Sequence, residues 1–246
     1  MEDLDVIKIG GSVIFGIEDT IRIDALNNIF EQLAKNQNNI IVTGSGESLH
    51  NLVYKYDLTD SPRTYNPNER ETRAREVNKA VAENLLKISR IAEPHMWVTT
   101  FTPDNLFEKE SRGRKNTHEI VGFKKYILDE IASYEVPIIS GGIVPDRTLN
   151  YSAVSSDTIA AYLGEAYDSK RVILLTDVDG VYDHDSKLIK EVKSSEYAKY
   201  KGGMGDKIRR VGFAAKNRKV YIANGNNLEN LGRIIEKDEG TFTRVL

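Results

Sequence analysis

The sequence contains no cysteine, which removes disulfides, thiolate nucleophiles and thiolate metal sites together and fits a reducing cytoplasm. It also lacks any run approaching the roughly 18 apolar residues of a membrane span. The opening segment MEDLDVIKIGG is acidic with a short apolar stretch, unlike a secretory signal. A cytoplasmic protein with no membrane partner is expected. Neither sign of charge dominates: 34 Lys and Arg stand against 37 Asp and Glu, a net charge of -3. No dense basic stripe is present, so nucleic acid is not an expected partner. Any chemistry falls to Lys, His, Asp and backbone amides. At 246 residues the chain is long enough for one large α/β domain or two intimate lobes. No internal repeat or low-complexity linker divides it.

Short β-branched runs at Val6 to Ile9, Ile40 to Thr43, Val136 to Ser140, Arg171 to Thr176 and Lys219 to Ala223 read as buried strands. Between the first two, Asp24 can cap a helix carrying Leu26, Ile29, Phe30 and Leu33 on one face, ended by Asn36 to Asn39. Glu69 to Ile91 repeats the stripe with Val77, Val81, Leu85 and Ile88, after a polar loop or lid from Thr59 to Asn68. With Tyr54 and Tyr56, that stripe lines an apolar acceptor pocket or, as such stripes commonly do, forms core. Glu108 to Thr117, with Arg112, Arg114 and Lys115, reads as a solvated surface hairpin or loop without chemistry. Ile208, Val211 and Phe213 open a helix after a Gly202 and Gly203 turn. Leu228, Leu231, Ile234 and Ile235 mark another before a Gly240 to Val245 strand. The alternation predicts an α/β fold, a three-layer αβα sandwich around a mostly parallel sheet.

Four motifs close strands or open helices. In Lys8-Ile9-Gly10-Gly11-Ser12, two residues without Cβ let amides approach an anion while Lys8 supplies positive charge; alone, the run is also a tight turn. Thr43-Gly44-Ser45-Gly46-Glu47-Ser48-Leu49-His50 follows the second strand, at the edge where parallel sheets bind ligands. A helix starting near Glu47 adds free amides and puts His50 in its first turn as a phosphate donor; a lone histidine otherwise serves structure. The GxxxxGK[ST] loop is absent, and Leu49 replaces the third glycine of GxGxxG, so neither a P-loop nor a dinucleotide fingerprint is present. The strand from Val172 ends in Asp177, Asp179 and Gly180. A calcium loop would need a third acid before the glycine and a flanking helix. Lys201 to Lys207 is a glycine-rich loop offering Lys207 as a second phosphate-contacting lysine. Ser155-Ser156-Asp157 is an N-cap, with Asp157 either a plain cap or the organiser of two cationic lysines.

KIGGS, LTDVDGVY, GGMxxK, ANGN and a terminal GT arrive in this order, and together they resemble the amino acid kinase family over nearly the whole chain. Within it the likeness is greatest to archaeal isopentenyl phosphate kinases, whose second glycine loop ends in histidine at the spacing of Gly44 to His50. The resemblance implies that Lys8 contacts the transferring phosphate, that Asp157 orients the lysines and that His50 holds the acceptor phosphate. Gly10, Gly11 and Ser12 with Gly44, Ser45 and Gly46 would line the phosphate track. Asp177, Tyr182, Gly203, Met204 and Lys207 would surround ATP, accompanied by magnesium (Mg2+). It further implies an acceptor lobe at 1–168, an ATP lobe at 169–246 and a homodimer paired through the first lobe. The expected reaction is transfer from ATP to a small phosphomonoester, isopentenyl phosphate giving isopentenyl diphosphate. Furan methyl phosphate, a phosphonate or UMP are the alternative acceptors, and a non-catalytic nucleotide- or oxyanion-binding protein is the alternative class. The second loop departs from the family pattern at Thr43, Ser45 and Glu47 to Leu49. Lys201 stands where threonine commonly precedes Gly-Gly-Met, and an acid is missing around Ser140 to Gly142.

Overall fold

The computed structural model describes residues 3–36, 38–62, 66–111, 119–200, 202–227 and 229–246. Its strands are β1 (Asp5–Ile9), β2 (Asn39–Thr43), β3 (Val98–Phe101), β4 (Phe107–Lys109), β5 (Ile120–Phe123), β6 (Val136–Ser140), β7 (Gly142–Asp146), β8 (Asn150–Val154), β9 (Arg171–Thr176), β10 (Val181–Tyr182), β11 (Leu188–Ile189), β12 (Glu191–Val192), β13 (Lys219–Asn224) and β14 (Phe242–Val245). Its helices are α1 (Gly11–Ile14), α2 (Ile23–Ala34), α3 (Gly46–Lys55), α4 (Pro67–Ala92), α5 (Lys125–Ile131), α6 (Ser156–Ala166), α7 (Gly202–Val211) and α8 (Asn230–Lys237).

One sheet of order β12-β14-β13-β9-β1-β2-β6-β3 runs through the molecule, parallel at every pairing except β13 with β14. Its central strands are apolar on both sides because helices cover both faces, as the sequence reading expected. Period two then sorts each strand between two cores. Ile7 and Ile9, Ile173 and Leu175, and Tyr221 and Ala223 face one layer, with Leu26, Phe30 and Ile234 from α2 and α8. Val6, Val172, Leu174, Val220 and Ile222 face the other, with Ile159 of α6 and Ile208 of α7. A four-stranded sheet, β5-β4-β7-β8, and the β10–β11 hairpin complete the fold.

Several local expectations shift. Helix α2 begins at Ile23 with Arg22 as N-cap, so Asp24 lies inside the first turn, where its charge still favours the helix dipole. Asn66 caps α4 by accepting from the Glu69 amide, and Pro67 fills the first helical position, whose missing N–H costs nothing there. Val77, Val81 and Leu85 are core, while Tyr54 is 63% exposed, so the stripe does not line a pocket with it. Gly202 and Gly203 form the first turn of α7 instead of preceding it, and Phe213 falls beyond its end. The Glu108 to Thr117 stretch is not simply solvated. Lys109 sits in β4 with no exposure, its ammonium meeting Asp60 at 2.5 Å, Glu119 at 3.3 Å and the Ala153 carbonyl at 2.7 Å. A buried lysine survives only with such partners, and here they tie the chain after α3 to the smaller sheet. Arg112, Arg114, Lys115, Lys201 and Leu228 lie outside the described residues, as do residues 63–65 of the expected lid.

Candidate active site

The carboxyl ends of β13, β9, β1 and β2 stand side by side, and the chain leaves each through a glycine or polar turn. The ladder continues past the strands: the Gly10 amide donates to the Leu175 carbonyl at 2.8 Å, Gly44 to Ile9 at 2.8 Å and Gly225 to Thr176 at 2.8 Å. The two glycine turns therefore touch. A Cβ at Gly44 would lie 2.4 Å from the Gly11 nitrogen, so no other residue fits without separating them. Gly10 and Gly11 meet Gly44 and Gly46 at one seam, and Ser12 is the next residue of the first turn.

Beneath that seam Lys8, 5% exposed, reaches Asp157 Oδ1 at 2.8 Å, and Lys207 Nζ lies 3.4 Å from the same oxygen. The helix cap is Ser155, whose Oγ accepts from the Asp157 amide at 3.2 Å, which frees the Asp157 side chain to face the lysines. Of the two roles the sequence left open for Asp157, geometry favours organiser. Although burial pushes the Asp157 carboxyl up, Lys207, Lys8 and Arg210 outweigh it and hold it far below the ordinary carboxylate range. Burial pulls Lys8 down to about 8, with Lys207 acting in the same direction and Asp157 opposing.

That value predicts a pH limb. Lys8 carries its proton below about 8 and loses it as pH rises through that value. Activity that needs the ammonium should be level near neutrality and fall toward about tenfold per pH unit above it. A kcat/KM profile still level well above pH 9 would contradict a role for Lys8 charge. No acid limb is expected from Asp157, which stays ionised.

On the β9 side, Ser12 Oγ donates to Asp177 Oδ1 at 3.1 Å, joining the first turn to the LTDVDGVY loop. Asn224, from the ANGN motif that received no role, donates to Asp179 Oδ1 at 2.9 Å, and Tyr182 donates to Asp179 Oδ2 at 3.4 Å. Beside them a cavity of about 550 Å³ opens between this loop, the β10–β11 hairpin and the start of α7. Val178, Tyr182, His184, Lys199, Tyr200 and Met204 are among its walls. Its apolar body with few polar groups suits a flat heterocycle. Of these, Tyr182 and Met204 are among the candidate residues of the sequence; His184, Lys199 and Tyr200 are not, since no motif marks them. Gly203 has open space around it: a Cβ there would meet no atom beyond its own helix backbone within 4 Å among the described residues.

On the β2 side, α3 begins at Gly46, so His50 is its fifth residue and lies just past the first turn, exposed to solvent. Ser45 precedes it as N-cap without a side-chain bond. The amides of Glu47 and Ser48 donate to Asp19, at 3.1 and 2.6 Å. Asp19 carried no sequence signal, being 28 residues from Glu47 and outside every motif.

Two ammonium groups on one carboxylate, under touching glycine turns and between a heterocycle-sized cavity and a histidine-bearing helix, suit a phosphoryl group in transit. The model of the amino acid kinase family matches residues 4–224. The acetylglutamate kinase of Endomicrobium trichonymphae is 29% identical, the match covering 96% of this chain and all of that one. The isopentenyl phosphate kinase of Methanothermobacter thermautotrophicus is 26% identical over 98% of each chain. A solved isopentenyl phosphate kinase superposes with a TM-score of 0.85 at 24% identity, covering 99% of this chain and all of the other. The chain belongs to the amino acid kinase family and is a kinase.

Proposed function

We propose that the chain transfers the terminal phosphoryl group of ATP to a small phosphomonoester, with isopentenyl phosphate the leading acceptor and isopentenyl diphosphate the product. The observation that carries this reading is the convergence of Lys8 and Lys207 on Asp157 at the seam of the two glycine turns. Phosphoryl transfer asks for alignment of two anionic groups and compensation of charge on the moving phosphoryl, with little covalent help. Lys8 and Lys207 supply the charge, the glycine turns at Gly10 to Ser12 and Gly44 to Gly46 the track, and Asp157 the spacing of the lysines. A phosphate-monoester acceptor is already ionised near neutrality, so a positioned donor such as His50 serves better than a general base. ATP would place its base in the cavity walled by Tyr182 and Met204, with Asp177 and Gly203 flanking its phosphates.

Among the described residues no group of three or more His, Asp or Glu side chains could hold a metal alone. Magnesium would accompany the nucleotide's own phosphates and neutralise charge there. The same reading gives residues 1–168 the acceptor and 169–246 the nucleotide, in a cytoplasmic homodimer. No helix among the described residues is long and apolar enough to cross a membrane.

ADP release measured with isopentenyl phosphate, furan methyl phosphate, a phosphonate, UMP and N-acetylglutamate tests the acceptor. The highest kcat/KM is expected on isopentenyl phosphate, and a higher value on any other compound would replace it. His50→Ala should lower kcat/KM for isopentenyl phosphate about tenfold or more, the worth of one hydrogen bond to a charged group, with the KM for ATP unchanged. A change of only a few fold would remove His50 from acceptor binding.

A further inference from the structure

Residues 16–20 form a strap across the start of α3. Phe15 bridges to Ile21 at its base, the Gly16 amide donates to the Thr20 carbonyl at 2.8 Å, and Glu18 and Asp19 take left-handed angles at φ 55 and 53. On one side Arg22 Nη1 donates to the Ser12 carbonyl at 3.3 Å, beside the first glycine turn. On the other, Asp19 Oδ1 and Oδ2 receive the amides of Glu47 and Ser48. The fit is close: a Cβ on Gly46, itself at φ +79, would lie 3.0 Å from Asp19 Oδ1 and 3.1 Å from the Phe15 ring. Although burial pushes the Asp19 carboxyl up, the Ser48 hydroxyl, the two amides and the His50 charge hold it below its ordinary range. These amides are the free donors at the head of α3 that the second glycine loop would otherwise offer to an acceptor anion. The Glu47 side chain is exposed at the same corner and has no ion-pair partner among the described residues.

We propose that Asp19 is a specificity-determining residue of the acceptor site, filling the α3 amides with the protein's own carboxylate. On the phosphomonoester reading above, the acceptor is then held through one anionic group, by Lys8, Lys207 and His50. The remainder of the acceptor, facing Asp19 and Glu47, is uncharged. A second anionic group at that end meets two carboxylates and no free amide, so it is rejected by like charge as well as by lack of donors. Alkyl phosphates fit this description; phosphate esters ending in a carboxylate, and dicarboxylates, do not.

The test compares isopentenyl phosphate with 4-phosphooxybutanoate, similar in length but ending in a carboxylate, in the wild type and in Asp19→Asn. Asp19→Ser, whose hydroxyl still caps α3 without charge, is the second variant should the first lose its fold. The wild type is expected to prefer isopentenyl phosphate at least about 100-fold in kcat/KM. Either variant should cut that preference at least about tenfold through the KM of the carboxylated acceptor, by analogy with other like-charge rejections. An unchanged preference, or an equal gain on both acceptors, overturns the proposal. The amide resonances of Glu47 and Ser48 read it independently of turnover, with N-acetylglutamate as the probe. Both should stay in place in the wild type and move in Asp19→Asn. Movement in the wild type, or none in the variant, overturns the proposal even if isopentenyl phosphate proves not to be the acceptor. Failure of isopentenyl phosphate in the ADP-release panel, with the amides behaving as stated, overturns only the acceptor reading.

Discussion

Replacing Lys8 by methionine is expected to lower kcat about 10³-fold, in line with removal of one preorganised charge from a phosphoryl-transfer site, while the protein stays folded. Methionine fills most of the lysine volume in a position that is 5% exposed, so no large cavity opens between β1 and α6. The charge balance of the remaining groups also holds. Asp157 keeps Lys207 at 3.4 Å, with Arg210 nearby, and so is not left as a buried carboxylate without a cation. What disappears is the group whose ammonium burial has pulled down to about 8, a cation that the fold keeps partly desolvated at the seam of the glycine turns. In such surroundings a fixed charge acts on an in-flight phosphoryl more strongly than it would in water. The loss should fall on kcat more than on the KM for ATP, because the nucleotide's base and ribose would be held in the separate cavity by Tyr182 and Met204. Steady-state ADP release at saturating ATP, with thermal unfolding as control, decides it. A kcat within tenfold of the wild type at an unchanged Tm would mean that Lys8 only supports Asp157.

The fold was legible because its central strands are covered on both faces and therefore read as short continuous apolar runs. Ile7 and Ile173 fall opposite each other in adjacent strands, and both lie in stretches visible without coordinates. The seam of the two glycine turns was legible for a related reason. Touching backbones demand glycine, so Gly10, Gly11 and Gly44 mark themselves in the sequence. Asp157 was half legible: its neighbours Ser155 and Ser156 announced a cap, but only geometry showed Ser155 capping and Asp157 turned toward two lysines. Lys109 was misread because a charged run looks solvated, whereas its partners Asp60, Glu119 and the Ala153 carbonyl come from distant segments. Asp19 was invisible on the same grounds. Its partners are backbone amides, which have no sequence signature, and the left-handed backbone that aims it is carried by ordinary side chains.

The stability of the sheet centre depends on a pair that the sequence also concealed, and Arg171→Met is expected to cost about 3–5 kcal/mol. Arg171 opens β9, 3% exposed, and gives Nε and Nη2 to the two oxygens of Asp5 on β1, both at 2.8 Å. Its Nη1 donates to the carbonyls of Ile234 and Ile235 at 3.0 and 2.7 Å, satisfying carbonyls in the last turn of α8. One guanidinium thus joins two central strands and a covering helix. Methionine in its place leaves Asp5 fully buried without its cation and the Ile235 carbonyl without the guanidinium, while the Ile234 carbonyl keeps the Asp238 amide at 3.1 Å. Against a total stability of about 5–15 kcal/mol, that is a large share. For a chain of this size it corresponds to a fall in Tm of roughly 6–20 °C. Burial already pushes the Asp5 carboxyl up despite the hydrogen bonds and charge of Arg171, so desolvation opposes the pair strongly in the native protein. The pair's net worth is therefore much smaller than the cost of breaking it, and the double variant Asp5→Leu with Arg171→Met should recover most of the loss, short of the α8 carbonyl bonds that Arg171 made. Urea unfolding of the single and double variants separates the two quantities. A single variant within about 1 kcal/mol of the wild type, less than the usual cost of one buried unpaired polar group, would show that water replaces Arg171 at this junction.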